Sequence, residues 1–303
     1  ALNLNTTGDA NSAVGYQALD SNTTGTRNSA VGFQTLQANT TGSYNAASGA
    51  TAMYSNTTGS GNTAFGFQAL NINTTGSDNV AIGHLVLDAN TTANDNVGIG
   101  NRALSANTTG SGNCAMGNDA MYINTTGGNN VAIGNNALYA NTTADNNVAI
   151  GTTALDANTT GHSNTAVGKD ALGALTTGIL STAVGMNAGD VITTGNSNVT
   201  IGYNAGGSIT TGSNNVCVGQ DAGVYTIAIT TGGQNTCIGH AAYTTTVGAT
   251  EANVIGYAVG GAAGYTTLGE TTNEIRTAHG STSWATVSDE RYKKDIVDST
   301  AGL

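Results

Sequence analysis

Apolar, small and polar positions along this chain recur every 17 residues. The unit 56–72 reads Asn-Thr-Thr-Gly-Ser-Gly-Asn-Thr-Ala-Phe-Gly-Phe-Gln-Ala-Leu-Asn-Ile, and it begins again at Asn73. The lead asparagine stands at Asn5, Asn22, Asn39, Asn56, Asn73, Asn90, Asn107, Asn124, Asn141 and Asn158. An apolar residue then takes its place at Leu175, Ile192 and Ile209, and at Ile229 after a three-residue insertion. A short fixed period held over fourteen units predicts a solenoid.

With the unit numbered 1 to 17 from its lead residue, positions 8 to 10 predict a short strand whose side chains alternate between faces. Position 8 is mostly β-branched (Thr63, Val80, Val97, Val131, Val148) and position 10 large and apolar (Phe65, Ile82, Ile99, Ile133, Ile150). This face is expected to fill the core. Position 9 is nearly always alanine and position 11 always glycine, a face expected to admit another backbone closely. A second short strand is expected to end in Ala-Leu or Ala-Met, with Thr-Thr-Gly supplying the turn. The change from Ala-Leu to Ala-Gly at Gly189, Gly206 and Gly223 predicts a narrowing of the roll or an approach of subunits.

The expected fold is therefore an all-β parallel solenoid, or β-roll, of 17-residue rungs over residues 1–239. Residues 240–287 form a non-repetitive distal region and 288–303 a third compositional zone. Stacked asparagines such as Asn56, Asn73, Asn90, Asn107 and Asn124 are expected to bond along the axis through their amides, as in cross-β ladders, with a second ladder at Asn11, Asn28 and Asn45. The chain opens on a repeat already under way, which predicts a missing or processed N-terminus.

Composition sharpens this. The 303 residues include 44 glycines and no proline, with 8% charged residues and 5% aromatic. Such a thin core predicts self-association as the source of further burial. The net charge is −11, and before residue 276 the basic residues are Arg27, Arg102 and Lys169, a poor footprint for nucleic acid or anionic lipid. No apolar run reaches the roughly 20 residues of a membrane span.

Candidate chemistry is sparse. Cys114, Cys217 and Cys237 lack the paired spacing of a zinc site. Cys217 and Cys237 share position 9 of neighbouring rungs and are read as small buried substitutes for alanine. Asp78, Asp95, Asp119 and Asp145 read as solvated turn carboxylates, and His84, His162, His240 and His279 as isolated turn or surface histidines; neither set predicts a metal site or a cofactor. Each Asn-Thr-Thr is formally an N-glycosylation acceptor, but a turn-and-ladder consensus accounts for it. Thr57 and Thr58 should face opposite ways, so a rung offers one outward threonine to an ice-binding reading. Tyr16, Phe33 and Phe67 share position 12 and are read as covering a seam between subunits.

Two resemblances add to this. The core Asn79-Val80-Ala81-Ile82-Gly83, repeated at 130–134 and 147–151, resembles the head repeats of trimeric autotransporter adhesins, which are trimeric parallel β-rolls with a shorter unit. Ser288-Asp289-Glu290-Arg291-Tyr292-Lys293-Lys294-Asp295-Ile296 resembles the opening of the intramolecular chaperone domain of phage tail spikes and tail fibres. That resemblance implies trimerisation by the chaperone and self-cleavage between Ser288 and Asp289, with Lys293 as the base that activates the serine. The chain stops at Leu303, so the chaperone is nearly all absent and no cleavage is expected from this polypeptide.

Together these readings predict an intertwined homotrimer, the shaft and distal part of a phage tail fibre in the virion, rather than an enzyme. It would bind host-surface glycan or lipopolysaccharide through residues 240–287, with Tyr243, Tyr257, Tyr265 and Trp284 as contacts, and other virion tail proteins through a missing N-terminal part. A cellular trimeric adhesin or extracellular surface filament is the alternative; an ice-binding solenoid or a polysaccharide depolymerase is further off.

Overall fold

A computed structural model describes residues 1–224, 230–271, 273–283 and 285–286. Strands β1 (Ser12–Val14) through β14 (Thr236–Ile238), each three residues long, stack in sequence order as one parallel sheet of a β-solenoid. Register follows the repeat: Thr63 pairs with Val80, Ala64 with Ala81 and Phe65 with Ile82.

The faces of the strand are the reverse of the expectation. Position 9 points inward, with Ala64, Ala81, Ala115 and Ala132 fully buried, while Phe65 at position 10 is 45% exposed and Ile82 38%. Position 8 is half-buried. The reason is the size of the lumen. A 17-residue coil leaves room inside for the alanines of positions 9 and 14 and one leucine of position 15, as in Ala64, Ala69 and Leu70, and a β-branched or aromatic pair would not fit.

Among the described residues of the repeat up to Val224 the expected second strand is absent; positions 12 to 17 run as turns. Positions 13 and 15 take left-handed backbone, as in Gln68 (φ 55°) and Leu70 (φ 54°). That conformation lets the adjacent Ala69 and Leu70 both point inward, which the alternation of an extended strand forbids. Holding a leucine there costs roughly 1–2 kcal/mol. Complete burial of its side chain is worth about 1.5–3 kcal/mol and offsets it.

Both asparagine ladders form. Asn73 Nδ2 donates to Asn56 Oδ1 at 2.8 Å and to the Gly76 carbonyl at 2.9 Å, and its own Oδ1 accepts from Asn90 Nδ2 at 2.8 Å. In the second ladder, Asn62 Oδ1 accepts the backbone N–H of Asn79 at 3.0 Å, while Asn62 Nδ2 donates to the Gly76 carbonyl at 2.8 Å. These side chains are fully buried, where an unmatched amide would be costly, so their pairing is the condition for placing amides in so thin a core. A third file runs along position 2: Thr57 Oγ1 donates to the Thr74 carbonyl at 2.9 Å.

After Asn158 the core changes composition. Leu175, Ile192 and Ile209 enter the interior fully buried, and position 15 becomes Gly189, Gly206 and Gly223. The glycines keep the left-handed backbone (φ 60–80°) that Leu70 also adopts. A Cβ on Gly189 would lie 3.0 Å from the Cδ1 of Ile192, so the isoleucine of position 1 fills the space vacated at position 15. Ile229 lies outside the described residues.

Stacking continues past Gly239 although the consensus is lost. β16 (Asn253–Tyr257) pairs in parallel with β14, Asn253 facing Thr236, and β18 (Tyr265–Glu270) pairs with β16 after a shorter step of 13 residues, Thr266 facing Asn253. β15 (Tyr243–Thr244) and β17 (Gly260–Gly261) form a small second parallel sheet. β19 (Asn273–Ala278) then turns back antiparallel on β18, and β20 (Ala285–Thr286) pairs with β19.

Candidate functional site

Because position 9 occupies the lumen, positions 8 and 10 present an outward stripe. From β1 to β14, in β16 and through the corresponding residues of β18, positions 8 to 10 carry no charged side chain. Val14, Val31, Phe65, Ile82, Ile133 and Ile150 lie exposed along it. Position 12 widens it with aromatics stacked rung on rung, Tyr16 on Phe33 with ring centroids 5.4 Å apart and Phe67 on His84 at 5.5 Å. In a chain of net charge −11, the carboxylates fall elsewhere: every aspartate up to Asp221 sits at position 5, 6, 13 or 16. Monomeric proteins rarely leave a contiguous apolar patch of more than a few hundred Å² exposed.

The polar corners are structured by pairs one rung apart. Arg102 donates to Asp119 at 2.7 Å and its guanidinium lies 4.8 Å from the centre of the Tyr122 ring, which stacks on Tyr139. Asp119 is therefore buried in an ion pair rather than solvated as the sequence suggested. Lys169 and Thr153 both donate to Asp170 and hold its carboxyl below the usual range. Burial pushes the carboxyls of Asp88, Asp156 and Asp190 up.

Asp190 illustrates the consequence. One of its carboxylate oxygens is buried with no hydrogen-bond partner, and Asp170 adds repulsion to the desolvation. Its folded-state pKa is raised, so the folded chain holds this proton more tightly than the unfolded chain does. The resulting stability is greatest at low pH and is lost as pH climbs from the ordinary value of 3.8 through the raised one. Asp190→Asn is expected to melt above the parent at pH 7, with the gap closing toward pH 3; thermal denaturation across that range checks it.

The ladder geometry bears on glycosylation. Both Nδ2 protons of Asn73 are spent inside a fully buried file, so an oligosaccharide there is incompatible with the folded stack. Thr58, by contrast, is exposed while Thr57 is half-buried and bonded, which places one outward threonine on each rung.

The predicted receptor contacts do not converge. Tyr257 ends β16 opposite Glu270 and stacks on His240 with centroids 5.2 Å apart, while Tyr265 opens β18 with the Arg276 guanidinium 5.5 Å from its ring centre. Five strand steps, about 16 Å, separate those two ends. Tyr243 lies in the other sheet, its ring over Gly260. His279 faces Asn253 and Thr266 at 3.3 and 3.4 Å. Trp284, Ser288, Asp289 and Lys293 lie outside the described residues.

A shallow open depression is lined by Thr143, Asp145, Asn146, Thr160 and His162. It presents one carboxylate, where hydrolysis of a glycosidic bond ordinarily uses two. Among the described residues no group of three or more His, Cys, Asp or Glu side chains is placed to hold a metal, and no helix is long and apolar enough to cross a membrane. The outward stripe itself was not foreseen from the sequence; the nearly all-alanine rank at position 9, beside the large apolar rank at position 10, was the available signal for it. No protein-family model matches this chain and no curated protein or solved structure is detectably similar to it, so the functional reading is built on the solenoid's own surfaces.

Proposed function

We propose that this chain is the shaft and distal part of a homotrimeric phage tail fibre, a structural and host-attachment protein. The observation that carries the reading is the charge-free apolar stripe. Strands about 4.8 Å apart from β1 to β18 give it a length of about 70 Å, and three residues give a width of about 10 Å. Its area of roughly 700 Å² approaches the ~800 Å² that each partner commits to a stable interface. A second copy carries the same rung spacing, so its side chains interdigitate along the whole length. The resemblance of residues 288–296 to a tail-fibre chaperone supplies the phage context, and threefold display gives avidity to weak contacts with surface glycan.

The test is the native mass. The parent is expected at three times the 29.9 kDa of the chain. Ile133→Asp combined with Ile150→Asp is expected to give monomers that keep the parent's circular dichroism, because both side chains lie outside the lumen. The trimer, applied to arrayed bacterial surface polysaccharides, should bind more tightly than that monomer. A monomeric parent would overturn the assembly, and equal binding by both forms would remove avidity from the mechanism.

A further inference from the structure

Adjacent rungs of this solenoid bring identical positions into register, and at one place the register pairs two cysteines. Cys217 of β13 (Val216–Val218) is the direct partner of Cys237 in β14. Both stand at position 9, so both side chains point into the lumen, and both are fully buried. We propose that Cys217 and Cys237 are a covalent cross-link site, closing on oxidation into a disulfide that staples these two rungs together.

Three observations carry this. Neighbouring strands lie about 4.8 Å apart, inside the Cα separation of roughly 4.4–6.8 Å that disulfides span. The two side chains enter one lumen from adjacent rungs in direct register, with no exposure at either. The place is also singular in the repeat: Val216 and Thr236 are paired strand residues 20 apart, where every other step from β1 to β14 is 17. A longer connection weakens the covalent coupling of the two rungs, and a bond through the lumen restores it independently of the extra residues.

A side chain larger than alanine at position 9 goes with glycine at position 15: a Cβ on Gly206 would lie 2.5 Å from the Cγ2 of Thr200. Gly206 and Gly223 stand at position 15 where earlier rungs hold leucine, and Thr200, Cys217 and Cys237 take over position 9 from alanine. Cys114 is different. It lies at position 8, half-buried on the outward stripe, and faces Val97 and Val131 rather than another cysteine.

The chemistry balances with a small-molecule disulfide as oxidant. The thiolate of one cysteine attacks that disulfide and expels one small thiol; the second cysteine's thiolate attacks the mixed disulfide and expels the other. Two protein thiols are oxidised by two electrons, one disulfide is reduced to two thiols, and the two protons pass to them. With both sulfurs buried, exchange proceeds during folding or local opening, and the closed bond is then shielded from reductant.

The full chain is refolded with oxidised glutathione or with reductant, the reaction is quenched with acid, and free thiols are alkylated in denaturant. Three alkylated cysteines are expected from the reduced sample and one, Cys114, from the oxidised sample, together with a linked peptide pair holding Cys217 and Cys237. Cys217→Ala restores the residue most rungs carry at this position, so it is expected to fold. In it Cys237 should appear alkylated or as a mixed disulfide. Alkylation of both Cys217 and Cys237 in the folded, oxidant-treated parent would overturn the proposal, as would a bond from either one to Cys114.

Discussion

Replacing Gly66 by alanine is expected to part the stack between β4 (Thr63–Phe65) and β5 (Val80–Ile82), with a loss of about 3 kcal/mol or more. Gly66 is at position 11, where the chain leaves the strand at φ 133°, a region that L side chains rarely adopt. A Cβ there would lie 2.1 Å from the carbonyl oxygen of Gly83 and 2.7 Å from its carbonyl carbon. The obstacle is backbone, fixed by the Gly66 and Gly83 ladder bonds to Ser48 and Phe65 at 2.8 and 2.7 Å, so no side chain can swing aside to relieve it. Relief comes from separating the rungs, and that separation reaches the neighbouring amide files. Hydrogen exchange read by mass spectrometry is the suitable measurement, because long repeat arrays need not unfold as one unit. Faster exchange is expected in peptides covering 57–87 and unchanged rates near 150. Uniform parental rates would show that the rung adjusts without cost.

The period, strand positions and both asparagine ladders were legible in the sequence, because each depends on what recurs at a fixed spacing. Which face turns inward was not. Alternation at positions 8, 9 and 10 is symmetric between its two readings, and the habit of placing isoleucine in a core favours the wrong one. The volume enclosed by 17 residues decides it, and that volume belongs to the closed coil rather than to any residue. The second strand failed for a related reason. Nothing at Leu70 announces a positive φ, yet the same position becomes Gly189, Gly206 and Gly223 further on. A leucine or methionine position that glycine takes over in three successive rungs is a sign of left-handed backbone, visible without coordinates.

The candidate site was less legible. Tyr243, Tyr257 and Tyr265 lie close together in the sequence, but in this non-repetitive stretch they end on different sheets and at opposite strand ends. The outward stripe was hidden by its ordinariness, since valine and isoleucine in strands are the commonest pattern there is. Exposure alone marks it out.

Asn73→Ala is expected to cost about 4 kcal/mol, more than the burial of any single leucine in this core contributes. The asparagine satisfies three groups at once: the Gly76 carbonyl and Asn56 Oδ1 accept from its amide, and Asn90 Nδ2 donates to its oxygen. Alanine leaves Asn56 Oδ1 a buried orphan at roughly 1–3 kcal/mol, and takes one of two bonds from Asn90 Nδ2 and one of two from the Gly76 carbonyl, which Asn62 Nδ2 still holds at 2.8 Å, at about 0.5–1.5 kcal/mol apiece. Asn90 keeps its second bond, to the Ala93 carbonyl at 3.1 Å. The chain contains a natural comparison. Where Leu175 follows Asn158, the oxygen of Asn158 is buried with no partner, and the stack tolerates one such end because the leucine brings apolar burial in return. Asn73→Leu should therefore cost less than Asn73→Ala even with Leu70 kept, since Leu172 and Leu175 are both fully buried at the same two positions, and adding Leu70→Gly gives the pairing seen for Ile192 with Gly189. Denaturation midpoints for the three variants test this; an Asn73→Ala loss below about 1 kcal/mol would mean the ladder contributes alignment rather than stability.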